Sequence, residues 1–200
     1  MGKYKGKIVG FPGDLLSIIT KKYPINNFLE TGTNLGDTAE WACNKFNVVY
    51  TCEPSGHFYN LALKRLNKYK NCNLYNLDSL SFFNSIMESL LGNSIFWLDS
   101  HYNVDELSYG KSVENPLIKE VEYISKLNGD KYIVIDDFRQ MLFPDEPTYV
   151  HGWPPLYKII NALNLLSDNF VMAVPDCLIS LPNKCIPIIR KYRKRIRRFE

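Results

Sequence analysis

Six carboxylates stand where short apolar runs end. Glu30 closes Asn27-Phe-Leu, and Glu53 closes Val48-Val-Tyr-Thr-Cys. Asp78 comes just beyond Asn73-Leu-Tyr-Asn76, Asp99 closes Ser94-Ile-Phe-Trp-Leu, and Asp136-Asp137 end Tyr132-Ile-Val-Ile. If these runs are strands of one parallel sheet, all six acids lie along a single rim. Carboxylates gathered like this repel one another unless something positive sits among them. Capping of the helices that follow accounts for any one of them. For the whole set that account is strained, because several acids have a loop still ahead of them. Two groups separate by chemistry. Glu53 stands about 20 residues past a glycine turn, where a carboxylate can take both hydroxyls of a ribose. Asp78-Ser79 could hold an adenine edge. Asp99, Asp136 and Asp137 follow two neighbouring strands and suit a hard, oxygen-loving cation such as Mg²⁺.

The glycine turn is Phe28-Leu-Glu-Thr-Gly-Thr-Asn-Leu-Gly-Asp-Thr38. It reads as a strand, a turn and a helix start, with Thr38 opening the helix. Glycine lets backbone approach a ligand, because no Cβ intervenes. A helix start offers N–H groups. In an open α/β sheet such a turn lies at the carboxyl end of a strand, where ligands bind. Glu30 before the first glycine disfavours a phosphate and favours a cationic amine. The Gly-x-x-x-Gly spacing departs from the Gly-x-Gly-x-x-Gly of dinucleotide folds, which speaks against a nicotinamide dehydrogenase.

The elements that would carry these residues alternate regularly. Asp14 onward predicts a helix after Pro12-Gly13 and before Pro24. Further helices are expected over 38–46, 58–69, 82–91, 117–127 and 156–166, set between the strands named above. Tyr132 to Ile135 is apolar throughout, as a strand buried on both faces should be. Phe170 to Val174 and Cys177 to Leu181 read as a closing hairpin around Pro175-Asp176. Five strand–helix alternations followed by a strand pair predict an α/β fold: a single-domain, Rossmann-like, doubly wound and mostly parallel sheet.

The chain has 200 residues, enough for one domain with a full-sized core. At 46% hydrophobic residues its composition is that of a globular protein. No apolar run is long enough to span a bilayer. The basic N-terminus lacks the apolar core and cleavage site of a secretory signal, and Gly6 argues against myristoylation at Gly2. Five cysteines without a Cys-x-x-Cys pair read as reduced thiols, mostly small core fillers, in a cytoplasmic protein. Residues 184–200 hold eight Lys or Arg against one acid, more than the whole chain's net +3, so the body is mildly acidic.

At this point the residues resemble a family. Glu30-Thr-Gly-Thr-Asn-Leu-Gly36 is similar to the first motif of class I S-adenosylmethionine-dependent methyltransferases. Glu53 stands where that family places its ribose-binding acid, and Asp78-Ser79 where residues lie beside adenine. The resemblance covers roughly Asn27 to Leu181. It implies a seven-stranded sheet whose last strand runs antiparallel. It also implies a cofactor site formed by Glu30, Thr31, Gly32, Thr33, Gly36, Asp37, Thr38, Glu53, Pro54, Asp78, Ser79 and Asp99. Within the class, Trp97-Leu-Asp-Ser-His-Tyr102 with Ile133-Val-Ile-Asp-Asp137 looks like the metal-dependent O-methyltransferases, nearest to the macrocin-type branch that acts on sugar hydroxyls. That implies Mg²⁺ on Asp99, Asp136 and Asp137, with a general base at position 101. Here the residue is His101, where the sugar-modifying relatives often carry an acid. The expected reaction moves a methyl group to a hydroxyl of a small molecule or glycan. Asp99 and His101 are then the catalytic pair, and the metal lowers the hydroxyl's pKa.

Tyr102, Tyr109, Lys111, Arg139 and Trp153 lie in two irregular stretches that could shape an acceptor pocket. His57 and His151 read as surface residues. The domain is expected over 1–183. Residues 184–200 are expected as a basic amphipathic tail, with Ile188, Ile189, Tyr192, Ile196 and Phe199 on one face. Such a tail could touch an anionic membrane at its inner face, pack on the body, or bind nucleic acid. Alternatives to the O-methyltransferase are an RNA methyltransferase and a non-catalytic nucleotide-ligand binder. Asp99-Ser-His-Tyr102 does not resemble the motif of amino-methylating nucleic-acid enzymes, which makes a nucleic-acid partner the weaker expectation. Self-association stays open.

Overall fold

The computed structural model describes residues 3–4, 7–8, 10–88, 90–100, 115–142 and 153–196. A two-stranded ribbon, β1 (Lys3–Tyr4) with β2 (Lys7–Ile8), precedes α1 (Gly13–Lys22). The alternation then runs β3 (Asn27–Thr31), α2 (Asp37–Cys43), β4 (Val48–Cys52), α3 (Gly56–Leu66), β5 (Cys72–Tyr75) and α4 (Ser79–Ile86). It continues through β6 (Ser94–Leu98), α5 (Leu117–Ser125), β7 (Lys131–Ile135), α6 (Phe138–Leu142) and α7 (Leu156–Leu163). The chain closes with β8 (Asn169–Val174), β9 (Cys177–Pro182), a 3₁₀ turn over Asn183–Cys185 and α8 (Ile186–Ile196).

The seven-stranded sheet has the order β5-β4-β3-β6-β7-β9-β8. β5, β4, β3, β6 and β7 pair in parallel; β9 runs antiparallel to both β7 and β8. The architecture is the Rossmann-like one expected, with the last strand reversed. Strand order turns back between β3 and β6, and such a reversal opens a crevice at the strands' carboxyl ends.

Alternation along the strands explains both faces. Leu29, Phe96, Leu98, Ile133 and Ile135 enter one buried cluster with α4, α5 and α7. Phe28, Val49, Ile95, Trp97 and Val134 enter the other with α1 and residues from α2 and α8. Each strand is therefore apolar on both sides, as a parallel sheet sandwiched by helices requires. Ile188 and Ile189 of α8 are 7% and 5% exposed, and Tyr192 packs beside them on the second cluster. That half of the basic helix is thus taken up by the body. Four short elements were not expected: the β1 and β2 ribbon, α6, directly after Asp136-Asp137, and the 3₁₀ turn before α8.

Candidate ligand-binding crevice

Register sets the rim. Thr31 pairs with Cys52 and with Leu98, and Leu98 pairs with Ile135, so these four residues form one row. Glu53, Asp99 and Asp136 come next along three strands. Their backbone N–H groups continue the ladder to Tyr75, Thr31 and Leu98 at 3.0, 3.0 and 3.1 Å. Glu30 lies two rows deeper than these acids, inside β3, opposite Thr51 and Trp97.

Glu30 is 1% exposed. The Thr51 hydroxyl donates to its Oε2 at 2.6 Å. Thr51 and Thr33 hydroxyls meet at 2.5 Å. With Thr51 committed to Glu30, Thr33 donates to Thr51, so the turn is wired to the buried acid. Burial pushes the Glu30 carboxyl well above its ordinary range; the Thr51 bond opposes this, and the Asp99 and Glu53 charges add to it. A cationic ligand beside Glu30 would relieve that cost.

The glycine turn folds back onto β4. Gly32 and Thr33 N–H both donate to the Cys52 carbonyl at 3.0 Å, and Gly36 N–H donates to Thr33. Asn34 takes a left-handed backbone, φ 49°, and its N–H donates to Glu53 Oε2 at 2.8 Å. Ser55 N–H donates to the other oxygen, Oε1, at 3.0 Å. Burial also raises the Glu53 pKa, against these two bonds. Each oxygen keeps a lone pair for a hydroxyl. Gly32 has φ 86°, and a Cβ there would lie 2.3 Å from the Asp99 carbonyl oxygen. The sequence suggested a glycine making room for a ligand; Gly32 makes room for the neighbouring strand's end.

Arg65 on α3 holds the far side of the turn. Its Nη1 donates to the Leu35 carbonyl at 2.8 Å, its Nη2 lies 2.9 Å from Asp37 Oδ1, and its Nε lies 3.2 Å from Glu40 Oε2. The planar guanidinium suits three acceptors fanned in this way. No spacing rule pointed to Arg65 or Thr51. Helix α3 has to be docked before an arginine on it can be seen to face a turn 30 residues earlier. Thr51 becomes visible only when β4 is registered against Glu30.

The other acids divide. Asp78 caps α4: its Oδ1 accepts from Ser81 N–H at 2.9 Å and its Oδ2 from the Ser81 hydroxyl at 2.8 Å. Ser79 is buried beside it. Asp136 is 3% exposed; the Cys177 thiol donates to its Oδ1 at 3.7 Å, and a Cβ on Gly10 would stand 3.0 Å from the same oxygen. Asp137 has φ 55° and leads into α6. Arg139 forms a two-pronged pair with Asp176, at 2.7 and 2.8 Å, and its charge also acts on Asp137 and Asp136. Asp99, Asp136 and Asp137 were expected to gather round Mg²⁺. Among the described residues no three His, Cys, Asp or Glu side chains are arranged to hold a metal ion.

His101, Tyr102, Tyr109, Lys111 and His151 lie outside the described residues. Trp153 packs against the first core cluster, and His57 is exposed. Glu120 on α5 is a further buried acid, 1% exposed, accepting from the Ser100 hydroxyl at 2.6 Å. It was missed because it lies in the first turn of a helix, away from any strand end in the sequence.

The sheet order defines an open α/β fold with a crevice at the β3/β6 reversal. Solved structures carry the same fold. A candidate O-methyltransferase from Klebsiella pneumoniae aligns over 88% of this chain and 82% of its own, at 13% identity and a TM-score of 0.65. A candidate caffeoyl-CoA O-methyltransferase from Staphylococcus aureus covers 88% and 86%, at 15% identity and 0.63. A candidate methyltransferase from Streptococcus mutans, solved with SAH, covers 87% and 99%, at 10% identity and 0.54. At these identities the likeness is one of fold. No family model and no curated protein matches the sequence.

Proposed function

We propose that the chain is an S-adenosylmethionine-dependent methyltransferase that acts on a hydroxyl of a small molecule or glycan, with a sugar as the preferred acceptor. The observation that carries this reading is the pairing of a buried Glu30 with a Glu53-bound glycine turn at the β3/β6 reversal. The fold neighbours, one of them solved with SAH, support it. S-adenosylmethionine, when bound, supplies a methyl group on a cationic sulfur.

The donor set fits such a ligand. Glu30 offers a negative charge that burial makes costly to leave unmatched. Glu53 accepts hydroxyl hydrogens while keeping its two backbone bonds. Asp99, at the end of β6, lies within electrostatic reach of Glu30 and stands where an acceptor hydroxyl would be oriented. His101 is the proposed base for that hydroxyl's proton. Positioning two reactants in a fixed line supplies much of the acceleration, and no covalent intermediate on the chain is needed. Mg²⁺, held by Asp99, Asp136 and Asp137, would lower that hydroxyl's pKa, and none of the steps above is routed through it.

Calorimetric titration with S-adenosylmethionine and S-adenosylhomocysteine, with NAD as control, tests the reading. Binding of both sulfur ligands and loss of at least tenfold in affinity in Glu30→Ala are expected. Equal binding by parent and variant would place the site elsewhere.

A further inference from the structure

Three of the five cysteines, Cys52, Cys177 and Cys185, are fully buried. The other two sit together. Cys72, at the start of edge strand β5, is half-buried and lines an open cavity of about 330 Å³ with Leu63, Leu66, Asn67 and Tyr69. Cys43, at the end of α2, is 8% exposed, and Cys72 packs against the apolar cluster that contains it. The neighbouring Asn71 amide donates to the Cys43 carbonyl at 2.9 Å and to the Phe46 carbonyl at 2.8 Å. Those bonds hold the head of β5 against the tail of α2. The two thiols act on each other directly, which lowers the Cys43 pKa and raises that of Cys72.

We propose that Cys43 and Cys72 are a redox-responsive pair that closes to an intramolecular disulfide under peroxide. A peroxide small enough for the cavity reaches Cys72. The Cys72 sulfur attacks one peroxide oxygen, the O–O bond breaks, the thiol proton passes to the departing oxygen, and a sulfenic acid forms as the first water leaves. The Cys43 sulfur then attacks the Cys72 sulfur. The S–S bond forms and the hydroxyl departs as a second water with the remaining thiol proton. Two thiols are oxidised by two electrons and one peroxide is reduced to two waters.

The bond would staple the tail of α2 to an edge strand and close a loop of about 30 residues. Because α2 begins at the glycine turn, the staple would restrain the helix on which that turn rests. This inference stands apart from the methyltransferase reading, since it needs no ligand.

The test uses the full reduced chain, treated with hydrogen peroxide, quenched, alkylated and analysed by intact mass and peptide mapping. Expected is loss of the mass of two hydrogen atoms, with Cys43 and Cys72 peptides linked and dithiothreitol restoring them. Cys43→Ser and Cys72→Ser should each abolish the linkage. Both thiols alkylated in full after peroxide, sulfinic acid on Cys72 beside a free Cys43, or linkage to any other cysteine would overturn the proposal.

Discussion

At the scale of single residues, Glu30 governs the energetics. Its folded pKa is raised, so its neutral form suits the folded state. Stability from this group is present below the ordinary glutamate value and is lost as pH rises through the folded value. Glu53 acts in the same sense. Glu30→Gln keeps an acceptor for Thr51 and removes the ionisation. Its stability should therefore fall less than the parent's as pH rises above the glutamate range, measured by urea unfolding at a series of pH values. A cationic ligand would favour ionised Glu30, so parent affinity should strengthen with pH across the same window. Much of this site was legible: Glu30, Gly32 and Glu53 stand out as acid, glycine and acid at strand ends. What could not be read was depth. Glu30 lies one row inside β3, a distinction that only pairing with Thr51 reveals.

At the scale of elements, α3 is the part that holds the turn still. Arg65 contacts a carbonyl in the turn, an acid at the start of α2 and an acid one turn further on. Arg65→Ala should weaken S-adenosylhomocysteine binding roughly tenfold, about one lost charge-assisted bond. Arg65→Lys should recover only part, because an ammonium cannot fan to three acceptors. Thermal melts run beside the titrations separate a loosened turn from general destabilisation. Elements themselves were legible where periodicity was strong, as in β7 and α5. The surroundings of the acids were not. Spacing put Asp99 and Asp136 at neighbouring strand ends, but not the Cys177 thiol on β9 that donates to Asp136. That partner arrives from a part of the chain that local pattern cannot place.

At the scale of the whole molecule, one sheet joins everything, and its middle depends on its latest strand. Ile133, Val134 and Ile135 of β7 pair with Ser180, Ile179 and Leu178 of β9, all apolar but one. A chain cut after Asp168 would leave β7 with a bare apolar edge. Gel filtration of that fragment should give aggregates in place of a monodisperse peak, and its melt should lack a cooperative transition. Alternating strands and helices made the doubly wound plan readable. Which strand sits next to β7 was not, because a hairpin can dock by either arm.

β8 touches the sheet solely through β9, so the hairpin's first-made arm has nowhere to settle until the second emerges. During synthesis the ribosome therefore releases the whole parallel half, crevice included, before that border is sealed. For the time taken to extrude the stretch from β7 to the end of β9, the newborn protein carries an adhesive seam. A chaperone that shields nascent chains would find its task there.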